Sequence, residues 1–304
     1  MKLMGNHFEF SVVAGDETWA EERIIAGVKE IQRIEKLLTT YDDASETSLI
    51  NAHAGSGPVA VSKETFDLIE RSIRISHITQ GAFDITYGSV DRRLWNFDTT
   101  LQRLPDAATA RQMVRLIDYR NIILNRETRT VLLKEKGMRI GFGGIGKGYA
   151  AERAKAIMQH MGAISGVVNA SGDLTAWGHQ PDGKPWTIGI VNPNAAGQIF
   201  SYLDVTNMAV ATSGNYEKYV IIDGKRYSHT INPRTGLPVT GIKSVTILCP
   251  NAEIADAMAT PVMIMGIGPG LDMINQMKDI EAILIDDDNK IYTSDHIHFY
   301  KQYA

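Results

Sequence analysis

Three groups of residues in this chain have the types and spacing to do chemistry. The first is Gly141-Phe142-Gly143-Gly144-Ile145-Gly146-Lys147-Gly148. A glycine loop that opens a helix leaves N–H groups free, and with the helix dipole these favour an anion; Lys147 adds a point charge. The same glycines also suit close helix–sheet packing, with Lys147 in solvent. Read as G-x-G-x-x-G, the run lacks the acidic residue that a dinucleotide fold carries about 20 residues on. The next strand ends in Val168-Asn169-Ala170, with no carboxylate until Asp173. Read as a P-loop, it has Gly148 where a Mg²⁺-binding hydroxyl belongs. A nicotinamide-type dehydrogenase and a P-loop enzyme both fit poorly.

The second group is Asp256 and Thr260, four residues apart and so on one helix face. A carboxylate and a hydroxyl there suit a hard cation such as Mg²⁺, which takes few protein ligands and keeps waters and substrate phosphates. On spacing alone an ordinary exposed pair is the simpler reading. The third is His229, in Arg226-Tyr227-Ser228-His229-Thr230. An imidazole suits general-base work near neutral pH, although a lone histidine is more often structural.

The elements that must position these groups follow from periodicity and caps. Asp16 can cap a long helix with Trp19, Ile24, Val28, Ile31, Ile34 and Leu38 at helical spacing. Ser62 can cap another, through Phe66, Ile69, Ile73 and His77, stopped by Gly81. A shorter helix fits Ala107 to Ile117. A fourth leaves the glycine run through Ala150, Ala154, Ile157 and Met158. A fifth, Ala252 to Met265, holds Pro261, which implies a kink or an early break. Strand-like runs cover residues 121–124, 130–134, 164–169, 186–191 and 202–205. Hairpins are expected about Asp223-Gly224, joining 218–222 to 225–229, and about Asp287-Asp288-Asn289, joining 282–285 to 290–293. Strands broken by helices without a steady βαβ rhythm indicate α+β. The reading is one unit, residues 1–304, with two lobes, mixed or antiparallel sheets and packed helices.

The chain has 304 residues and a formal charge of -4, so no basic field draws nucleic acid or anionic lipid. No apolar run approaches the ~20 residues of a membrane span. The single cysteine, Cys249, ends a strand-like run and reads as an inert buried thiol. Met1-Lys2-Leu3-Met4-Gly5 carries no apolar signal core and no lipobox-like cysteine. This fits a cytoplasmic protein or one whose leader has been removed.

Taken in order, the segments resemble the ApbE family, the FAD:protein FMN transferases. Met4-Gly5-Asn6 resembles the family's M-G-T. Tyr41, Ser45-Glu46 and Leu49-Ile50-Asn51 resemble S-x-Y…S-E-x-x-x-[LI]-N. Gly81-Ala82-Phe83-Asp84-Ile85-Thr86 with Leu94-Trp95 resembles G-A-F-D-x-T…L-W, and Gly143 to Tyr149 resembles G-G-I-A-K-G-Y. Asn169 to Asp173, Thr212-Ser213-Gly214, His229 to Gly236 and Ala255 to Thr260 follow in the family's order. The departures are Gly141 for Asp, Gly146 for Ala, Ser171 for the first Gly of G-G-D, and Thr230 and Asn232 for the Ile and Asp of H-I-x-D-P.

The resemblance implies a T-fold-related ApbE-like domain that cleaves the FAD pyrophosphate with Mg²⁺. FMN would pass by phosphoester linkage to a Thr or Ser of an acceptor protein, with release of AMP. It makes Asp256, Thr260 and the Gly146 carbonyl the metal ligands and His229 the base. Met4, Tyr41, Ala82, Phe83, Asp84 and Thr230 would hold flavin, with Gly143, Lys147 and Tyr149 near the diphosphate. Met4 and Phe83 are equally core candidates, Asp84 is equally a cap, and Trp95 reads as core. Asp173 stays unassigned, between support for the site and an Asx turn. The implied acceptor is a membrane redox-pump or electron-transfer subunit, and the family usually works on the outer side of the cytoplasmic membrane. Two other outcomes share these residues: an FAD pyrophosphatase that releases FMN and AMP, and a flavin-binding protein without turnover.

Overall fold

The computed structural model describes residues 1–191, 199–215 and 219–297. Its helices are α1 (Glu17–Leu38), α2 (Glu46–Ala52), α3 (Lys63–Ile78), α4 (Ala107–Met113), α5 (Gly146–His160), α6 (Ala252–Met265) and α7 (Ile267–Asn275). The chain divides into two compact units. The first comprises Met1–Ile34, Ile145–Tyr216 and Ile242–Ala304, the second Glu35–Gly144 and Glu217–Gly241.

The first unit is built on an eight-stranded sheet whose spatial order follows the chain. Its strands are Lys2–Leu3, Asn6–Val12, Gly166–Ala170, Asp173–Trp177, Met208–Gly214, Ile242–Cys249, Glu281–Asp286 and Ile291–Thr293. Every neighbouring pair is antiparallel, which is why no βαβ rhythm is visible in the sequence. Side chains alternate across the strands. Leu174, Ala176, Val210, Leu248 and Ile283 pack on one face with Ile190, Leu203 and Val205 of the hairpin Trp186–Val191/Ile199–Val205. Thr175 points the other way and accepts a hydrogen bond from Lys155 of α5 at 3.3 Å. Every residue of Ile242–Cys249 is buried, the mark of a central strand covered on both faces.

Helices α5 and α6 lie side by side in this unit. Fully buried Ala150, Ala151 and Ala154 keep α5 slim. Gly148 goes further: a Cβ there would sit 2.0 Å from the Ala252 carbonyl oxygen and 2.7 Å from Asp256 Cβ. Only glycine allows this crossing. Pro261 lies inside α6, yet the helix continues to Met265 and ends at Gly266, φ 89°. No early break occurs, because most of α6, from Ala252 through Met263, is buried. That packing outweighs the roughly 3 kcal/mol an interior proline costs.

The second unit holds α2, α3 and α4, a three-stranded sheet in the order Val59–Ala60, Thr130–Leu133, Ile122–Asn125, and the hairpin Tyr219–Ile222/Lys225–Ser228. The expected cap at Ser62 forms, its Oγ accepting from Thr65 N at 3.2 Å. In the first unit Asp16 accepts from Trp19 N at 2.6 Å in the same way. Helix α4 stops at Met113 rather than at Ile117, because the Met113 carbonyl accepts the N–H of Asp91 at 2.9 Å. A tertiary donor thus replaces the helical one. Of the expected hairpin strands, 225–229 forms as Lys225–Ser228, while Lys218 lies outside the described residues. Among the described residues no helix is long and apolar enough to cross a membrane.

Candidate active site

The glycine run delivers an anion-binding helix end, and the anion is supplied by the protein. α5 has no capping side chain of its own, its N-cap being Ile145. Asp256 reaches over from α6 instead: Oδ2 accepts the Gly148 N–H at 2.9 Å, and the Lys147 N–H also donates to this carboxylate. Two of the N–H groups expected to be free for phosphate are therefore engaged, by a charge the helix dipole favours. Asp256 is only 7% exposed, not the surface residue its spacing alone suggests. Burial, and then the nearby Asp173 carboxylate, push its pKa up to about 7, while Lys147 and the two N–H groups work against this. A second positive charge would be well accommodated there.

Lys147 donates to Asp173 Oδ2, and Asp173 Oδ1 accepts the Thr212 N–H at 3.1 Å. Burial opposes the Lys147 charge, but the Asp173 and Asp256 carboxylates outweigh it and hold its pKa above the ordinary value. Thr260 shares the α6 face with Asp256, and its hydroxyl lies 2.9 Å from Ser213 Oγ. Asp256, Thr260 and the Gly146 carbonyl offer hard oxygen donors, and the carboxylate is buried without a full countercharge. That donor set fits Mg²⁺. Among the described residues no three His, Cys, Asp or Glu side chains could cage a metal. The sequence leaves Asp173 open between support for the site and an Asx turn, and gives Ser213 no role; both belong to this corner. Their segments stood out in the sequence, but the strand register that brings Thr212 beside Asp173 did not.

Met4 and Gly5 form the tight turn between the first two strands, with φ of 49° and 73°. A non-glycine residue in the left-handed region stores of the order of 1 kcal/mol. Tyr149 lies on α5 and is buried.

In the second unit Ala82 and Phe83 are buried, and Tyr41 is 99% exposed. Asp84 acts as a cap: Oδ1 accepts from Thr86 N at 2.8 Å and Thr86 Oγ1 at 2.6 Å, and Oδ2 from Tyr119 N at 2.8 Å. Burial raises its pKa despite these bonds. Gly143 is exposed on the loop before α5. An open cavity of about 510 Å³ is lined by His77, Gln80, Asp84, Tyr119, Arg120 and Arg234, among others. His229 is exposed directly after the hairpin. Its loop is pinned on both sides: Ser228 N donates to Val239 O at 3.1 Å and Val239 N to Thr230 O at 2.9 Å. Thr230 N donates to Ser228 Oγ at 2.8 Å. Asn232 Oδ1 accepts from Arg234 N at 2.9 Å, so Asn preserves the Asx turn that Asp would make.

Known proteins share this arrangement of elements. The chain is similar to the ApbE protein of Thermotoga maritima, with TM-score 0.86 and 29% identity over 97% of this chain and 96% of that one. It is also similar to the Pseudomonas stutzeri flavinyl transferase ApbE in its apo form, with TM-score 0.84 and 25% identity over 97% and 93%. An FAD:protein FMN transferase of Klebsiella pneumoniae is 31% identical over 294 residues, 96% of this chain and 90% of the relative. The ApbE family model matches residues 4–284, a span that includes the α5–α6 corner and the His229 loop alike, and the chain belongs to the ApbE family.

Proposed function

We propose that this chain is a Mg²⁺-dependent FAD:protein FMN transferase, with FAD as substrate and a protein Thr or Ser as acceptor. Family membership and near-full-length likeness to FAD:protein FMN transferases support the activity. The observation that carries the metal assignment is the buried Asp256 carboxylate, with Thr260 one turn along and Gly146 opening α5. When bound, Mg²⁺ supplies charge neutralisation on the pyrophosphate.

The rest of the chemistry falls to the protein. Lys147 brings positive charge for the diphosphate, with Gly143 and Tyr149. Met4, Tyr41, Ala82, Phe83, Asp84 and Thr230 are assigned to the flavin half. Of these, Tyr41 is free to stack on a planar ring, whereas Asp84 acts by shaping the turn after Phe83. The acceptor hydroxyl oxygen attacks the FMN phosphorus and forms the new P–O bond. The bond to the AMP phosphate oxygen breaks, AMP leaves with the electron pair, and His229 takes the hydroxyl proton. In such transfers positioning and electrostatics supply most of the rate. The acceptor is proposed to be a redox-pump or electron-transfer subunit.

Intact-mass spectrometry of an acceptor domain incubated with the protein, FAD and Mg²⁺ tests this reading. A gain of one FMN residue, lost without Mg²⁺ and lost on the wild-type timescale in His229→Ala, with only slow residual transfer, is expected. Full metal-dependent activity in Asp256→Ala would overturn the metal assignment. AMP and free FMN without labelled protein would favour water as the acceptor or show that the acceptor domain was the wrong one, and intact FAD would leave a binding protein.

A further inference from the structure

The second unit carries an aromatic run that the chemistry above leaves unused. Between the 3₁₀ turn Ile85–Ser89 and α4 the chain takes an irregular course, so side chains must anchor it. Trp95 is the anchor. It packs on a buried cluster of Met113, Val114 and Ile231, beside Tyr87, Val90 and Ile117. Two residues on, Phe97 meets Trp95 edge-on, with ring centroids 6.5 Å apart and planes at 76°. Phe97 also meets the His229 ring, 6.3 Å away at 68°. Ile231, two residues beyond His229, belongs to the cluster that seats Trp95. One apolar cluster thereby fixes both partners of the Phe97–His229 contact.

We propose that Phe97 is a positioning residue for His229, holding the imidazole in the orientation that accepts the acceptor hydroxyl's proton. The inference rests on the reading of His229 as the base. A histidine side chain has several staggered rotamers open to it. An edge-to-face ring contact favours one of them beyond what burial alone supplies. A base must lie within hydrogen-bond reach of its proton, and a displacement of about 1 Å can cost 10²-fold in rate. Phe97 also covers one flank of the imidazole, which limits the directions from which a hydroxyl can approach.

The test is a double-mutant cycle on FMN transfer to an acceptor domain with FAD and Mg²⁺, followed by mass spectrometry. Phe97→Leu is expected to lower kcat about 10- to 100-fold, with KM for FAD and for acceptor within about twofold and an unchanged Tm. Phe97→Tyr, which keeps the ring, restores most of the rate. In a His229→Ala background, Phe97→Leu costs nothing further, since its effect passes through the imidazole. A wild-type kcat in Phe97→Leu overturns the proposal. So does a Phe97→Leu loss that persists in full without the imidazole, or one accompanied by a large fall in Tm. Full activity in His229→Ala alone would remove the base assignment and this inference with it, an outcome distinct from any Phe97 result.

Discussion

The hydroxyls of Ser213 and Thr260 lie 2.9 Å apart, so the α6 hydroxyl assigned to the metal is oriented by a strand residue. Loss of such a supporting contact typically weakens metal affinity 10- to 100-fold. Ser213→Ala is therefore expected to raise the Mg²⁺ concentration for half-maximal transfer about tenfold, with little change at saturating Mg²⁺. A Mg²⁺ titration of the transfer rate measures it, and an unshifted curve would detach Ser213 from the metal corner.

Asp173 meets Lys147 and the Thr212 N–H with its two oxygens. Asp173→Ala leaves a mostly buried ammonium without that partner, and breaking a buried pair on one side costs about 3–5 kcal/mol. Lys147→Met should cost more stability than Asp173→Ala, because it leaves the Asp173 and Asp256 carboxylates together without a countercharge, whereas Asp173→Ala leaves Lys147 facing Asp256. Urea unfolding midpoints of the two variants order them. The reverse order would mean the pair is solvated.

Gly148→Ala tests the α5–α6 crossing. Its methyl would be 2.0 Å from the Ala252 carbonyl oxygen, so α6 has to move and carry Asp256 and Thr260 with it. Transfer should fall at least about 10²-fold, with Tm lower by several degrees. Near-normal activity would show the two helices to be more loosely joined than described.

Cys249 is buried, and burial pushes its thiol pKa from 9.0 up to about 11. The folded chain thus keeps a proton that the unfolded chain loses. This contribution to stability is constant below pH 9 and is lost as pH rises from 9 towards about 11. Tm measured across that range should fall more steeply for the wild-type protein than for Cys249→Ala. At pH 8 a thiol reagent should label the protein only after denaturation; rapid native labelling would contradict the burial.

Much of this architecture was legible in the sequence where one local signal sufficed. The caps at Asp16 and Ser62, the helix leaving the glycine run, and the buried thiol ending its strand all depend on residues within a turn of one another. What escaped depended on distant partners. α4 ends early because Asp91 takes the Met113 carbonyl, and α6 survives Pro261 because packing covers it. α7 (Ile267–Asn275), with Pro269 and two glycines among its residues, carries signals that argue against a helix. The site shows the same division. Motif order singles out Asp256, Thr260 and His229 as candidates, but the capping of α5 by Asp256 requires a contact spanning 108 residues. Likewise, Asp84 could be read as ligand or cap, and its three donors, which include the distant Tyr119 N–H, are visible only in the structure.

The order of strands in the large sheet bears on how the chain is made. Its N-terminal hairpin pairs with Gly166–Ala170, and the wholly buried strand Ile242–Cys249 lies between Met208–Gly214 and Glu281–Asp286. During synthesis, at about 5–20 residues per second, this hairpin therefore emerges well before Gly166–Ala170, and Ile242–Cys249 arrives later still. High contact order of this kind slows folding and leaves apolar strand edges open in the meantime. Residues 35–144, by contrast, supply most of the second unit in one stretch and can begin to condense on the ribosome. Truncation before Cys249 should thus yield a chain that aggregates through its unpaired strands, so productive folding is tied to the arrival of Ile242–Cys249 and Glu281–Asp286.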